Sequence, residues 1–328
     1  MNNRRKLLVA LGAGALTAPF ASLAQKPTGK VWRVGFLSSE SASSYGTRVD
    51  ALRAGLRELG YEEGKNLVIE LGWAEGKIDR LAELAADLVR LRVDVIVTHG
   101  ALPTRAAKNA TTTIPIVFAT SGDVVALGFV TNLARPGGNM TGSIYFALEL
   151  AAKRIEVLKE VFPRITQVAA ISNPDSPSSR LSMQAMEAAA RQWKVTFHEF
   201  PVRGPQDFDS AFAAMVKKRP GAVAYYDDPM FIANATALAV FAAARKLPSI
   251  GGSEIVEAGG LMSYGVNFLG MYRRAAYYVD KILKGTKPGD IPIEQAIRFE
   301  LIVNLSTAKA LGIKVPNSIL LRADKVIE

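Results

Sequence analysis

The chain has 328 residues with 40 Lys+Arg, 30 Asp+Glu, two His and no Cys, a length that suggests two domains and a composition of 49% hydrophobic and 21% charged residues that supports sizeable cores. The missing Cys excludes disulfide scaffolds, thiol nucleophiles and Cys-ligated metals, and two His leave little for a His-rich metal site, so no cofactor or metal is expected. The net charge of +10 is dispersed; its densest clusters, Lys217-Lys218-Arg219 and Arg273-Arg274, are short and read as helix faces or ends rather than as a nucleic-acid-binding stripe.

Residues 1–24 read as a signal peptide. Arg4-Arg5-Lys6 precedes an apolar run, Leu7–Phe20, and the small residues Ser22 and Ala24 fit cleavage after Ala24. Arg4-Arg5 also has a twin-arginine look, so either general or twin-arginine export fits. Gly12, Gly14 and Pro19 interrupt the run, which is short for a bilayer span of about 20 residues. The mature chain is expected to be exported to the periplasm as a soluble protein.

Strand and helix then alternate. Val31–Leu37 reads as a strand ending in Ser38-Ser39, and Val49, Leu52, Leu56 and Leu59 recur at helical spacing before Gly60. Leu67–Leu71 is a strand, and Ile78 to Val89 a helix. Val93–Thr98 is a strand ending at His99-Gly100, and Pro103–Ala110 a helix. Ile114–Ala119 is a strand ending at Thr120-Ser121-Gly122-Asp123, and Ala126–Leu133 is expected to be a helix. The pattern restarts with strands at Thr141–Tyr145, Gln167–Ser172, Val195–Phe200, Ala222–Tyr226, Ser249-Ile250 and Gly260–Tyr264. Between them lie helices at Leu150–Phe162, Ser179–Trp193, around Phe208–Met215, and over Phe231–Lys246.

Such alternation argues for parallel, doubly wound sheets. The tail adds a helix, Leu269–Leu283, a strand around Phe299–Val303 with one exposed face, and a last helix capped by Ser306 and ending at Gly312. A helix and a strand after the second α/β half suggest a chain that returns to the first half and crosses back. The expectation is a hinged pair of lobes, 31–143 plus 267–296 and 144–266 plus 297–328. The hinge is placed at Ser143–Phe146, Val266–Phe268 and Ala296–Phe299.

Ligands of open parallel sheets sit beyond the carboxyl ends of the strands. The candidates there are Ser38, Ser39, His99, Gly100, Thr120, Ser121, Asp123, Asn173, Asp175, Asp227, Asp228, Ser253, Glu254 and Tyr264. The first half offers hydroxyls and helix N-termini, which suit a carboxylate. The second offers Asp228 and Glu254, which suit an ammonium, so the division favours a zwitterionic amino acid. Each position equally fits turn or capping chemistry. Asp228 stands out because a second carboxylate precedes Pro229 where a turn needs one. Tyr45 and Trp73 fit an aromatic wall for a flat ligand or plain core packing. His198 and Tyr225-Tyr226 read as structural. No Gly-rich dinucleotide turn, phosphate-binding loop or nucleophile elbow is present, so no enzyme is expected.

The stretches LRELGYEEGKNLVIE (Leu56–Glu70), LARPGGNMTG (Leu133–Gly142), AGGLMSYG (Ala258–Gly265), YRRAAYYVDKILKGTKP (Tyr272–Pro288) and AKALGIKVP (Ala308–Pro316) resemble the extracytoplasmic substrate-binding proteins of ABC transporters with a type I periplasmic-binding fold. The resemblance, from about Val31 to the end, is to the family with tryptophan- and tyrosine-binding members. It implies capture of a small carboxylate-bearing ligand between two lobes, possession of a membrane ABC permease as partner, and a monomer. It also implies ligand contact by Asp228, the Asp of Asp228-Pro229, and matches Asp123 to the Asp of the other turn. Gly100-Ala101 stands where the family has Gly-Thr, which loses a hydroxyl, and Asp123-Val124 where it has Asp-Pro; Thr104 or His99 would have to substitute. A ligand-sensing module signalling to a membrane receptor is the alternative. A sugar-repressor relative would need a DNA-binding domain before the first strand.

Overall fold

The structure is a computed structural model and describes residues 30–120, 123–296 and 298–328. The signal segment and Ser121 lie outside the described residues. From Val31 onward the chain forms two α/β lobes.

The first lobe opens with β1 (Trp32–Ser38), α1 (Ala42–Glu58), β2 (Leu67–Trp73), α2 (Arg80–Arg90), β3 (Val95–His99), α3 (Ala101–Ala110), β4 (Ile116–Thr120) and β5 (Met140–Ile144). The second contains α4 (Ala147–Val161), β6 (Gln167–Ser172), α5 (Ser179–Gln192), β7 (Thr196–Pro201), α6 (Phe208–Lys217), β8 (Ala222–Ala224), α7 (Pro229–Ala233), α8 (Ala235–Ala244), β9 (Ser249–Gly251), α9 (Ser253–Glu257) and β10 (Met262–Gly265). The chain then runs through α10 (Phe268–Leu283), β11 (Glu294–Gln295), β12 (Glu300–Asn304), α11 (Leu305–Ala310), α12 (Asn317–Leu320) and β13 (Lys325–Ile327).

One sheet has the order β11-β5-β4-β3-β1-β2, the other β13-β12-β10-β9-β8-β6-β7. β1 lies between β3 and β2, parallel to both, and Val34 to Ser38 are buried. A strand covered on both faces needs an unbroken apolar run, and that is what its sequence supplies. In the second sheet β12 is antiparallel to β10 while its other described pairs are parallel. Leu301 to Asn304 are all buried, so this strand has no exposed face, contrary to its alternating sequence: α9 and the terminal helices cover the second side.

Because β5, β10 and β11 lead into elements of the opposite sheet, three chain passages join the lobes. Their apolar residues meet in one cluster of Tyr145, Leu150, Val266, Phe268 and Met271, with Ala296 and Phe299 against it. Tyr145 and Phe268 meet edge-on at 5.4 Å. In the first lobe α10 packs on α1. A Cβ at Gly55 would lie 2.8 Å from Ala276 Cβ, so only glycine lets the two helices approach this closely. The pairing buries Leu52, Leu56, Tyr272, Ala275 and Val279 against β1 and β3, each large side chain contributing about 1.5–3 kcal/mol.

Three expected elements differ. The segment 126–133 is a series of turns rather than a helix: Asp123 Oδ1 accepts from the N–H groups of Val125 and Ala126 at 3.0 and 2.9 Å and caps a single turn, which Gly128 ends at φ +69°. The expected helix over Phe231–Lys246 is two helices, α7 and α8, broken at Asn234, where φ is −112°. Asn304, not Ser306, caps the late helix by accepting from Thr307 N–H at 2.9 Å, and α12 and β13 follow it.

Candidate functional site

A cavity of about 650 Å³ opens between the carboxyl ends of the two sheets, a size suited to a small organic ligand. The first lobe lines it with Ser39 to Ser44 after β1, Glu75 to Ile78 after β2, and His99 to Pro103 at the start of α3. The second lobe contributes Asn173 to Ser178, the turn around Arg203, and Asp227 to Asn234. The N-termini of α1, α3 and α7 all border this space, with α1 capped by Ser41 and α7 by Asp228.

Of the residues expected from the sequence, Ser39, His99, Gly100, Asn173, Asp175, Asp227 and Asp228 line the cavity. Ser38, Tyr45, Glu254 and Tyr264 are not among its lining residues, and each has another task. Ser38 Oγ accepts from Glu40 N–H at 3.1 Å and shapes the exit of β1. Tyr264 packs on Phe299 at 6.0 Å. Trp73 packs on Phe36 at 5.3 Å and Tyr45 on His99 at 4.9 Å, so the two form no aromatic wall; Ile78, Leu102, Leu127, Met230 and Ile232 give the cavity an aliphatic one. Thr120 is the last residue of β4, and Ser121 lies outside the described residues. Asp123 is exposed and spent on its turn. Thr104 does not replace the missing hydroxyl: it is buried, 2.8 Å from Thr98 Oγ1, and donates to the Gly100 carbonyl at 2.6 Å. His198 bonds Gln167 at 2.8 Å, and Tyr225 and Tyr226 are buried after β8.

The two adjacent carboxylates after β8 do different things. Asp227 takes the guanidinium of Arg154 on both oxygens, at 2.8 and 2.9 Å. Arg154, fully buried, also donates to the carbonyls of Tyr225 and Tyr264 at 2.8 and 2.9 Å, which ties β8 and β10 to α4. Asp228 caps α7, with Pro229 at the first helical position. Its Oδ1 accepts from Met230 N–H at 3.0 Å and Asn173 Nδ2 at 3.3 Å, and its Oδ2 from Tyr226 Oη at 3.3 Å. Those partners are neutral, so its charge is hydrogen-bonded without being balanced. At 1% exposure it is a floor residue rather than the cleft-edge residue its position after a strand suggests, and burial pushes its carboxyl above the ordinary range.

Glu40 faces it from the first lobe. It is buried, and its Oε1 accepts from Ser39 Oγ at 3.1 Å. Burial pushes its carboxyl up to about 7; the Ser39 bond and Arg48 oppose this, and Asp228 adds to it. His99 is buried, its Nε2 3.1 Å from Tyr45 Oη, and its Nδ1 has no partner among the described residues. Burial and the nearby Arg48 hold its basicity far below that of a free imidazole, so it is neutral.

Three contacts bridge the lobes beside the cavity. Arg48 of α1 pairs with Glu254 of α9, its guanidinium stacked 4.1 Å over the Tyr45 ring. Tyr45 Oη donates to the Pro229 carbonyl at 3.4 Å. Gly100, at φ +74° and ψ 179°, a conformation open essentially to glycine alone, lets Pro229 close in: a Cβ there would lie 3.2 Å from Pro229 Cγ. Glu254 is thus bound to an arginine of the other lobe, which removes it as a free acceptor for a ligand. Glu40 and Arg48 escaped the sequence reading, Glu40 because it follows two serines that suit the strand end and Arg48 because it sits inside an ordinary helical repeat.

Two α/β lobes joined by three chain passages, with a cavity between the carboxyl edges of their sheets, define a bilobal ligand-binding protein. The sequence profile of the family described as ABC transporter substrate binding protein matches residues 35–327, and the chain belongs to that family, one of binding proteins rather than enzymes. The chain is similar to a tyrosine-binding protein of Clostridioides difficile (strain R20291), at 26% identity over 79% of this chain and 74% of the relative. Among solved structures it resembles a conserved domain protein of Vibrio cholerae, with 28% identity, a TM-score of 0.86 and coverage of 90% of this chain and 100% of the other. A Streptococcus pneumoniae ABC domain in complex with L-Trp shares the fold, with 24% identity, a TM-score of 0.82 and coverage of 90% and 100%. Among the described residues no helix is long and apolar enough to cross a membrane.

Proposed function

We propose that this protein is exported, with cleavage after Ala24, captures an amino acid between its lobes as a monomer in the periplasm, and delivers it to a membrane ABC permease. The observation that carries the amino-acid reading is the split chemistry of one cavity. On the first-lobe side Ser39, Ser41 and Ser44 and the N-termini of α1 and α3 present hydroxyls and N–H groups to a carboxylate. On the second-lobe side Asp228 presents an unbalanced carboxylate to an ammonium. The tyrosine-binding relative and the L-Trp complex support the same ligand class. The lobes are taken as 31–143 plus 267–296 and 144–266 plus 297–328, with Ser143–Phe146, Val266–Phe268 and Ala296–Phe299 as hinge. Sheet membership of β11, β12 and β13 supports that division. Closure would press Pro229 toward Gly100 and present both lobe faces to the permease.

Calorimetric titration of the mature protein with the twenty amino acids tests this, together with mass spectrometry of what co-purifies. Binding of one or a few amino acids with compaction in solution scattering is expected. Binding of none, or chemical conversion of the bound molecule, would overturn it.

A further inference from the structure

Glu40 and Asp228 come from opposite lobes, line one cavity and are both buried. Buried carboxylates are ordinarily matched by a cation, yet both of these accept hydrogen bonds from neutral groups. The cations nearby are engaged elsewhere or stand in water. Arg48 is paired with Glu254 and Arg154 with Asp227. Lys77 is exposed at the rim, and Arg203 is 3.7 Å from Asp175. The cavity floor therefore holds two buried carboxyl groups with no cation paired to either.

His99 adds an acceptor. With the Tyr45 proton given to the Pro229 carbonyl, Nε2–H donates to the Tyr45 oxygen and Nδ1 is left with its lone pair free. We propose that Glu40 and Asp228 form a two-carboxylate clamp, one jaw from each lobe, that closes on the ligand's ammonium group, with His99 Nδ1 as the third acceptor. This rests on the amino-acid reading above and goes beyond it: the amine becomes the group through which the ligand bridges the lobes, and Glu40 the residue that discriminates amines from plain acids.

Ammonium capture requires ionised Glu40, whose carboxyl is held at about 7. Affinity is accordingly expected to rise with pH, by about tenfold between about pH 6 and pH 8. Other groups surround it. His99, lowered by burial, stays neutral; Asp228 and Glu254, raised by burial, act in the same direction as Glu40. Arg48, Asp227, Glu75, Lys77, Asp175 and Arg203 complete the charged groups about the cavity.

The test is calorimetric titration of wild type and Glu40→Gln with L-tyrosine, tyramine and 3-(4-hydroxyphenyl)propanoate at about pH 6 and pH 8. If another amino acid is the ligand, it and its amine and acid analogues take their place. Glu40→Gln is expected to weaken L-tyrosine and tyramine by about tenfold or more at pH 8, to flatten the pH dependence, and to spare the propanoate. L-Tyrosine bound by Glu40→Gln with wild-type affinity and pH slope would overturn the clamp and leave the amino-acid reading standing. Failure of every amino acid to bind wild type would overturn the reading, and the clamp with it.

Discussion

Breaking the Arg48–Glu254 pair should loosen the closed form while leaving each lobe folded. Arg48 has 5% and Glu254 21% of its side chain exposed, so the pair is mostly dry where the lobes meet. Removing one member of a buried pair costs about 3–5 kcal/mol because the other is left uncompensated; residual water at Glu254 puts the expected loss near the lower end, about 3 kcal/mol. The two residues belong to different lobes, so in an opened cleft both would be solvated and the loss would fall on the closed state alone. At about 1.4 kcal/mol per tenfold, Glu254→Gln or Arg48→Met should each weaken ligand binding by about a hundredfold. Arg48→Met carries a second effect, since Arg48 also favours ionised Glu40. The double variant separates the two: if the pair is a latch, Arg48→Met with Glu254→Gln should bind better than the sum of the single losses, with a coupling of at least about 1 kcal/mol. Calorimetry measures the affinities and scattering the unliganded compaction. Additive losses, or single variants that bind as wild type, would refute the latch.

Asp228→Ala should lower the melting temperature as well as ligand affinity, since it strips the α7 cap and leaves Asn173 and Tyr226 without an acceptor, a cost of about 1–2 kcal/mol. Asp228→Asn should keep most of the stability and lose the affinity; an Asn variant that binds as wild type would show that the residue only caps. Glu40 titrates at about 7 in the fold against an ordinary 4.5. The folded form therefore holds a proton the unfolded chain has lost, and stability falls as pH rises from about 4.5 through about 7, by up to about 3 kcal/mol. Unliganded Glu40→Gln should then melt higher than wild type at pH 8 and with no such gain near pH 4, and equal melting at both pH values would contradict it. Asp227→Ala should leave Arg154 charged and fully buried, costing about 3–5 kcal/mol in urea unfolding; an unchanged midpoint would show that the carbonyls of Tyr225 and Tyr264 alone satisfy it.

Fold class was legible because both sheets are built of central strands whose apolar runs survive any local competition. Val34, Phe36 and Leu37 in β1 and Val168 to Ile171 in β6 read as strands for the same reason that they are buried. What failed was local. The run Ala126–Leu133 has helical spacing, but the turn that Asp123 caps stops at Gly128, whose φ of +69° leaves the helical region. β12 has the alternation of a half-exposed strand, and it is buried because α9, well before it in the chain, and the terminal helices, after it, pack against it. Cavity residues at strand ends were legible through topology. Glu254 was legible as a strand-end acid but not as half of an ion pair, because its partner Arg48 lies 206 positions away in α1.

The distinction between Asp227 and Asp228 shows where composition stops informing the site. Both follow β8, both are nearly inaccessible and both line the cavity. A sequence cannot say which of two neighbouring carboxylates keeps its charge available, because that depends on which one a distant cation reaches. Arg154, one face of α4 away, reaches Asp227 and also binds two carbonyls, a geometry that fixes its guanidinium and rules out sharing it. Asp228 receives only neutral donors, which hold the side chain in place without balancing it. The same reasoning applies on the facing lobe, where Arg48 is drawn to Glu254 and leaves Glu40 with a serine. In each lobe, then, the local arginine is spent on a structural contact and one acid remains, and the two remaining acids face a single cavity. In the proposed clamp, a ligand ammonium would meet both acids only when the lobes bring them to it, which would make ligand capture and closure the same event.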